Sequence, residues 1–93
     1  MPILHSVDLQ TWQELGLALV VPDDEEGGTC FWAPEVACHD GLFYFYYQCC
    51  PPGRGYHIRV ALSESPTGPY KDTGIPLTDL ESNPFAIDAH PFR

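Results

Sequence analysis

The sequence predicts an all-β fold, and three features of its residues lead to that prediction. Ten prolines and eight glycines are spread along the chain, and no long stretch keeps a helical period free of them. The dipeptide Asp40-Gly41 separates two strand-like runs, and Asp-Gly is a typical two-residue hairpin turn. The run after it, 42–47, is apolar or aromatic at every position, which favours a strand covered on both faces.

The length and net charge of the chain argue against several classes of protein. The chain has 93 residues, enough for one small domain that would be only marginally stable alone. Its net charge is −9, with 4 Lys plus Arg against 13 Asp plus Glu. That balance argues against nucleic-acid binding and against anionic membrane surfaces, and it fits a neutral or cationic ligand. The start, Met1–His5, has neither a basic nor an apolar leader region, which predicts a cytoplasmic location for the sequence as given.

The first third of the chain predicts two strands and a charged loop. A short strand-like piece occupies residues 3–9, and a second strand, with Gly16 inside it, occupies residues 12–21. The acidic run at 23–26 and the glycines that follow predict a solvated surface loop. Its carboxylates lack the spacing of an EF-hand calcium loop.

The rest of the chain predicts a hairpin and three further strands. The hairpin spans 30–39 and 42–50, and the later strands are expected at 57–63, 70–77 and 84–92. Loops rich in turn residues separate them. Pro84 is compatible with the last strand because proline is tolerated at a strand's first position.

Four cysteines occur without the paired Cys-x-x-Cys spacing of a zinc site, so we expect no metal centre from them. Pairing the hairpin about Asp40-Gly41 places Cys38 opposite Phe43 and Cys30 near Cys50. The sequence favours reduced, buried thiols. A Cys30–Cys50 or Cys30–Cys49 disulfide remains open, because a bulge in the hairpin would shift the register.

A weak internal repeat indicates how the strands are grouped. Trp12, Gly16 and Leu19 recur 58 residues later as an aromatic residue, a glycine and a leucine at positions 70, 74 and 77. A repeat of about four strands is typical of β-propeller blades. We therefore expect 30–77 to form one antiparallel four-stranded blade, 3–21 the outer strands of the blade before it, and 84–92 the inner strand of the blade after it.

Several motifs, taken in their order along the chain, resemble glycoside hydrolase family 43. They are Ser6–Trp12, Phe31–Val36, Gly41–Tyr47, Val60–Tyr70 and Ala86–Phe92. The resemblance implies a five-bladed β-propeller, of which this chain would form about one and a half blades. It also implies hydrolysis of xylose- or arabinose-containing polysaccharides with inversion, which uses a carboxylate base and a carboxylic acid on opposite sides of the sugar.

The same resemblance assigns roles to four residues. Asp88 matches a third carboxylate, whose negative charge would raise the pKa of the acid. Trp32 matches an aromatic side chain of the sugar pocket, where C–H faces of sugars pack on rings; the alternative is a core tryptophan between blades. Glu35 and His90 are candidate polar pocket residues, although either could be purely structural.

The resemblance also implies that the catalytic machinery is incomplete in these residues. The family's base would precede Met1 and its acid would follow Arg93, so we expect the isolated chain to be inactive. One hypothesis is therefore a truncated or split glycosidase. The alternative is a non-catalytic sugar-binding or assembly module that covers its open strand edges by homo-oligomerisation. No cofactor is expected, although the family in some cases binds a central metal ion.

Overall fold

The computed structural model describes residues 1–20, 30–50, 53 and 55–92. These residues form seven strands: β1 (Pro2–His5), β2 (Gln13–Leu17), β3 (Leu19–Val20), β4 (Cys30–His39), β5 (Leu42–Cys50), β6 (His57–Ser63) and β7 (Tyr70–Asp72). The described ranges contain no helix that could span a membrane. Every element is a strand, so the predicted all-β class is confirmed for the part of the chain that the structure describes.

The strands form two sheets. β1 and β2 pair antiparallel as a two-stranded sheet, and the other five strands have the order β3-β7-β6-β5-β4. The strands from β4 to β7 are antiparallel neighbours in chain order, which is the four-stranded arrangement predicted for 30–77. β3 adds to the far side in parallel with β7. Within the described residues, β4 therefore lies at the edge of the sheet.

Four predicted strands differ from those observed. The piece expected over 3–9 is represented by β1, which spans only Pro2–His5. The strand expected over 12–21 is divided into β2 and β3 at Ala18. Gly16, whose φ is 119°, stays inside β2, next to a register shift in the pairing with β1. β7 ends at Asp72 rather than at residue 77, and Gly74 beyond it has a φ of 80°. Residues 84–92 form no strand apart from one bridge at Phe85. The acidic loop expected at 23–28 lies outside the described residues.

The hairpin turn has the conformation that its sequence predicts. Asp40 has a φ of 50° and Gly41 a φ of 79°. Positive φ at both central residues defines the type I′ turn, whose twist matches that of the flanking strands. Near the turn the pairing is as expected, with Cys38 opposite Phe43.

A β-bulge interrupts the pairing of β4 with β5. Glu35 pairs with Tyr46 and Trp32 with Gln48, so two residues, Ala33 and Pro34, oppose one residue of β5. Proline has no N–H to donate to a ladder, which restricts it within sheets to edge strands and bulges. Paired residues of an antiparallel ladder point to the same face, and residues two apart share a face. The bulge therefore puts Trp32 and Glu35 on one face of the sheet.

The cysteines lie where the counted register predicts, and none of the four forms a disulfide. Cys30 pairs with Cys50 across β4 and β5. The expectation that all four are buried is wrong for Cys38, which is exposed near the turn at the sheet edge, while Cys49 is buried and the remaining two are half-buried.

The core lies on one face of the five-stranded sheet. Phe45 and Tyr47 of β5 are buried there, together with Ala61 and Tyr70 of the neighbouring strands and Leu19 of β3. Ile3 of β1 and Met1, which precedes that strand, pack against this cluster. On the opposite face, Leu42, Tyr44 and Tyr46 are only half-buried. Phe43, on the core face, is half-buried too, so the expectation of cover on both faces is met more completely on the core face than on the other.

A buried ion pair joins three strands beneath this core. The Arg59 guanidinium donates hydrogen bonds to both carboxylate oxygens of Asp72, at 2.6 and 3.2 Å, and the Tyr47 hydroxyl donates one at 2.6 Å. The Arg59 and Asp72 side chains are 0% and 4% exposed. Burial raises the pKa of Asp72, but the hydrogen bonds from Arg59, Tyr47 and the Gly74 N–H outweigh it and hold that pKa below its usual value.

Removing the carboxylate of Asp72 should destabilise the fold strongly. Asp72→Ala leaves the Arg59 charge buried without its counter-ion, so we expect a loss of about 3–5 kcal/mol in the free energy of unfolding. Tyr47→Phe removes one neutral donor and should cost about 1 kcal/mol. Urea unfolding followed by circular dichroism measures both. Lys71→Ala, at an exposed position next to Asp72, is the control and should change little; an equal effect of Lys71→Ala and Asp72→Ala would contradict the role of the ion pair.

The stability of the fold should fall in acid partly because of the same carboxylate. The folded pKa of Asp72 lies below the unfolded value near 3.8. Its contribution is therefore present above about pH 4 and is lost as the pH falls through the folded pKa. The urea concentration at the midpoint of unfolding should fall less between pH 6 and pH 3 for Asp72→Asn than for the unchanged chain. Asp40→Asn, at an exposed turn carboxylate, should keep the full difference; the same acid loss in all three proteins would refute the assignment.

Candidate functional site

Three of the four predicted site residues line one cleft. The cleft has a volume of about 380 Å³ and lies between the bulge of β4 and the segment 88–90. Glu35 comes from β4, and Asp88 and His90 come from the C-terminal segment. Residues distant in the chain are therefore brought to a single concave surface, and Ala33, Pro34 and Ala89 form the rest of its lining.

The backbone is unusual on both sides of this cleft. Ala33 has a φ of 47° and Asp88 a φ of 54°, and neither is a glycine. The left-handed region costs an L-residue roughly 1–2 kcal/mol, although aspartate adopts it more readily than alanine. Such conformations persist where the surrounding structure imposes them, and they cluster at functional sites. Of the four described non-glycine residues with positive φ, two line this cleft, and the other two, Leu9 and Asp40, lie in a bend and in a turn.

The polar groups of the cleft are open to solvent. His90 Nδ1 lies 3.9 Å from Glu35 Oε1, and the two side chains are 77% and 45% exposed. An ion pair at that distance and exposure adds little to stability because water screens it. Both groups keep hydrogen-bonding capacity for a ligand. Together with Asp88, they offer a carboxylate-rich surface that suits a neutral ligand with several hydroxyl groups.

Trp32 lies beside the cleft rather than within its lining. The bulge places it on the same face as Glu35, and its side chain is 53% exposed. Its ring centroid is 5.8 Å from that of Tyr56, which in turn lies 5.2 Å from the ring of Phe85 in an edge-to-face arrangement. We call these three residues the aromatic row. Among the described residues, Trp32 is therefore about half-exposed.

Sequence analysis did not identify Tyr56, Phe85 or Ala33. Each is a common residue type without a motif of its own, and each acquires its position through contacts between distant segments. One signal was available. Proline within a strand pattern indicates an edge or a bulge, so Pro34 pointed to the interruption that carries Ala33 to the cleft. Within the described ranges, no group of three or more His, Cys, Asp or Glu side chains could hold a metal ion.

Known proteins of one family are similar to this chain. The family model described as "Glycosyl hydrolases family 43" matches residues 1–93. A "Xylosidase/arabinosidase" of Bacteroides ovatus is 30% identical over 73 residues, covering 78% of this chain and 21% of that protein. A "Probable arabinan endo-1,5-alpha-L-arabinosidase C" of Aspergillus fumigatus is 37% identical over 73 residues, covering 72% of this chain and 22% of that protein.

A solved structure shares the fold. The crystal structure of a thermostable family-43 glycoside hydrolase superposes with a TM-score of 0.71 and 38% sequence identity, covering 84% of this chain and 26% of that one. The predicted partial propeller, about one and a half blades with an antiparallel blade at 30–77, is confirmed. The chain spans about a fifth of the length of the curated relatives it matches. On the match along its whole length, the chain belongs to glycosyl hydrolase family 43.

Proposed function

We propose that residues 1–93 form one side of the sugar-binding cleft of a glycosidase that hydrolyses xylose- or arabinose-containing polysaccharides. The observation that supports this most is the convergence of Glu35, Asp88 and His90 on a single cleft. The resemblance assigns these residues to a sugar pocket, and they reach it from two distant segments. The relatives' names, which specify xylosidase and arabinosidase activities, support the choice of sugars.

Each residue has a chemical role in this proposal. Asp88 supplies a negative charge that would raise the pKa of a neighbouring carboxylic acid and so keep that acid protonated near neutral pH. Glu35 and His90 exchange hydrogen bonds with sugar hydroxyls. Trp32 packs against the C–H face of a sugar ring. Asp88 thus acts through the acid, and the other three bind and orient the sugar.

Inverting hydrolysis needs a general acid and a general base about 6.5–9.5 Å apart across the glycosidic bond. The resemblance assigns both groups to positions outside 1–93, so we propose that this stretch binds sugar but does not cleave it alone. The same proposal takes β1 and β2 as outer strands of the preceding blade. It assigns the segment 84–92, which forms only the bridge at Phe85, to the following blade. The packing of Met1 and Ile3 on one face of the sheet supports the first assignment.

A second candidate is a non-catalytic module that binds sugar and completes its sheet by homo-oligomerisation. Its support is a groove of about 570 Å³ on the half-covered sheet face, where Tyr44 and Tyr46 lie near Pro91 and Phe92. Phe92 is 90% exposed, and exposed apolar grooves of this kind are typical of contact surfaces. Light scattering after size exclusion separates the candidates, because the module requires a defined oligomer and a monomer would exclude it.

The 93-residue chain should bind pentoses without hydrolysing glycosides. Titration of the ¹⁵N-labelled chain with xylose and with arabinose should shift the amide signals of Glu35, Asp88 and His90, because these residues line the cleft. A chromogenic xyloside and a chromogenic arabinofuranoside should show no turnover above buffer. Binding should be weaker for His90→Ala, which removes one polar group of the cleft.

His39→Ala is the matched control, because His39 is an exposed histidine at the other end of β4; its affinity should equal that of the unchanged chain. Turnover by the purified chain that Asp88→Asn abolishes would contradict the proposed division of the catalytic groups. Absence of shifts with both sugars at high millimolar concentration would contradict the cleft itself.

A further inference from the structure

Two thiols face each other at the end of the β4–β5 hairpin that lies away from its turn. Cys30 is the first residue of β4 and Cys50 the last residue of β5, and the two are directly opposite in the ladder. Opposite residues of an antiparallel ladder point to the same face, with Cα atoms about 4.5–5.5 Å apart. Disulfide-bonded cysteines have Cα atoms about 4.4–6.8 Å apart. The ladder therefore holds this pair at the separation that a disulfide requires.

The two side chains also interact with each other. Burial and a hydrogen bond between the two thiols raise the pKa of the Cys50 thiol above its ordinary value. Both cysteines are only half-buried, so a small reagent in solution has access to the pair. Because the thiolate rather than the thiol is the nucleophile, we expect Cys30 to react first and Cys50 second.

The register excludes the other two cysteines as partners of Cys30. Cys49 is opposite Phe31 and belongs to the buried core cluster, so it points to the other face of the sheet. Cys38 is opposite Phe43, near the turn at the far end of the hairpin. The fold therefore selects the Cys30–Cys50 pairing over the Cys30–Cys49 pairing.

The position of the pair gives a bond there a structural consequence. Beyond the bulge, β4 continues with three pairs to β5, from Trp32 to Cys30. Within the described residues β4 is an edge strand, so β5 alone pairs with this end of it. A covalent link at the last pair would hold the register on this side of the bulge. It would therefore also hold Trp32, the first ring of the aromatic row.

We propose that Cys30 and Cys50 form a reversible oxidation site, at which a low-molecular-weight disulfide such as glutathione disulfide converts the two thiols into a cross-strand disulfide. The Cys30 thiolate attacks the small disulfide, which yields a mixed disulfide and one small thiol. Cys50 then loses its proton and attacks the Cys30 sulfur, which forms the protein disulfide and releases the second small thiol. The protein loses two electrons and two protons, and the small disulfide gains them. Neither step depends on the proposed function.

The test equilibrates the folded 93-residue chain with reduced and oxidised glutathione and then blocks the remaining thiols with iodoacetamide. Mass spectrometry should show the loss of two thiols, and fragmentation of the linked peptides should join Cys30 to Cys50. Dithiothreitol should restore both thiols. Cys50→Ser should stop at a mixed disulfide of glutathione with Cys30. Cys38→Ser, at an exposed cysteine of the same strand, is the matched control and should form the bond as the unchanged chain does.

The bond should also stabilise the fold, because it closes a loop from Cys30 to Cys50 and so restricts the unfolded chain. We expect the urea midpoint of the oxidised chain to exceed that of the reduced chain by about 1–2 M. Cys30→Ser should have the same midpoint under both conditions, which verifies that the difference comes from this pair.

Four results would overturn the proposal. They are survival of all four thiols at every glutathione ratio, a link from Cys30 to Cys38 or Cys49 or to a second chain, equal oxidation in concentrated urea, and an oxidised chain no more stable than the reduced one. Equal oxidation in urea counts against it because the bond would then not depend on the ladder. None of these results concerns sugar binding, so a failure here leaves the proposed function standing.

Discussion

The extra residue in β4 is the constraint on which the site depends. Side chains alternate between the two faces of a strand, so residues three apart would normally point in opposite directions. The bulge at Ala33 and Pro34 changes that parity and brings Trp32 and Glu35 to one face. The left-handed backbone of Ala33 is part of the same irregularity. Without it, Trp32 and Glu35 would lie on different faces of the sheet.

The neighbouring strands of the sheet stabilise β4, the irregular strand at its edge. Arg59 and Asp72 form a buried ion pair that also engages Tyr47, the residue of β5 that the bulge opposes. Tyr47 is fully buried and contacts the ring of Phe31 at 5.7 Å, close to the start of β4. The bulge thus lies opposite Tyr47, whose side chain is held by core packing and by its hydrogen bond to the Asp72 carboxylate. A rigid support of this kind keeps binding groups in position.

Local sequence patterns predicted the features that short-range chemistry determines. The turn at Asp40-Gly41 follows from the positive φ that glycine and aspartate accept, and it determined the pairing of Cys38 with Phe43. β6 has the predicted bounds because turn-forming residues, rich in glycine and proline, flank it in the sequence on both sides. The resemblance to a family then selected Glu35, Asp88 and His90, which the structure brings to one cleft.

Features that depend on contacts between distant segments were not predictable in this way. The strand expected over 84–92 has a hydrogen-bonding neighbour within the described residues only at Tyr56, so it forms one bridge. One face of β5 is half-exposed for a similar reason: among the described residues, no second sheet packs on Tyr44 and Tyr46. The position of Phe85 beside Tyr56 depends on Gly55, whose importance only the folded chain reveals.

The cross-strand register of β4 and β5 tests this account most directly. Nuclear Overhauser contacts between backbone protons of the two strands report which residues are opposite each other. The account predicts contacts of Glu35 with Tyr46 and of Trp32 with Gln48. A continuous ladder, in which Trp32 is opposite Cys49, would place Trp32 and Glu35 on different faces and would contradict it.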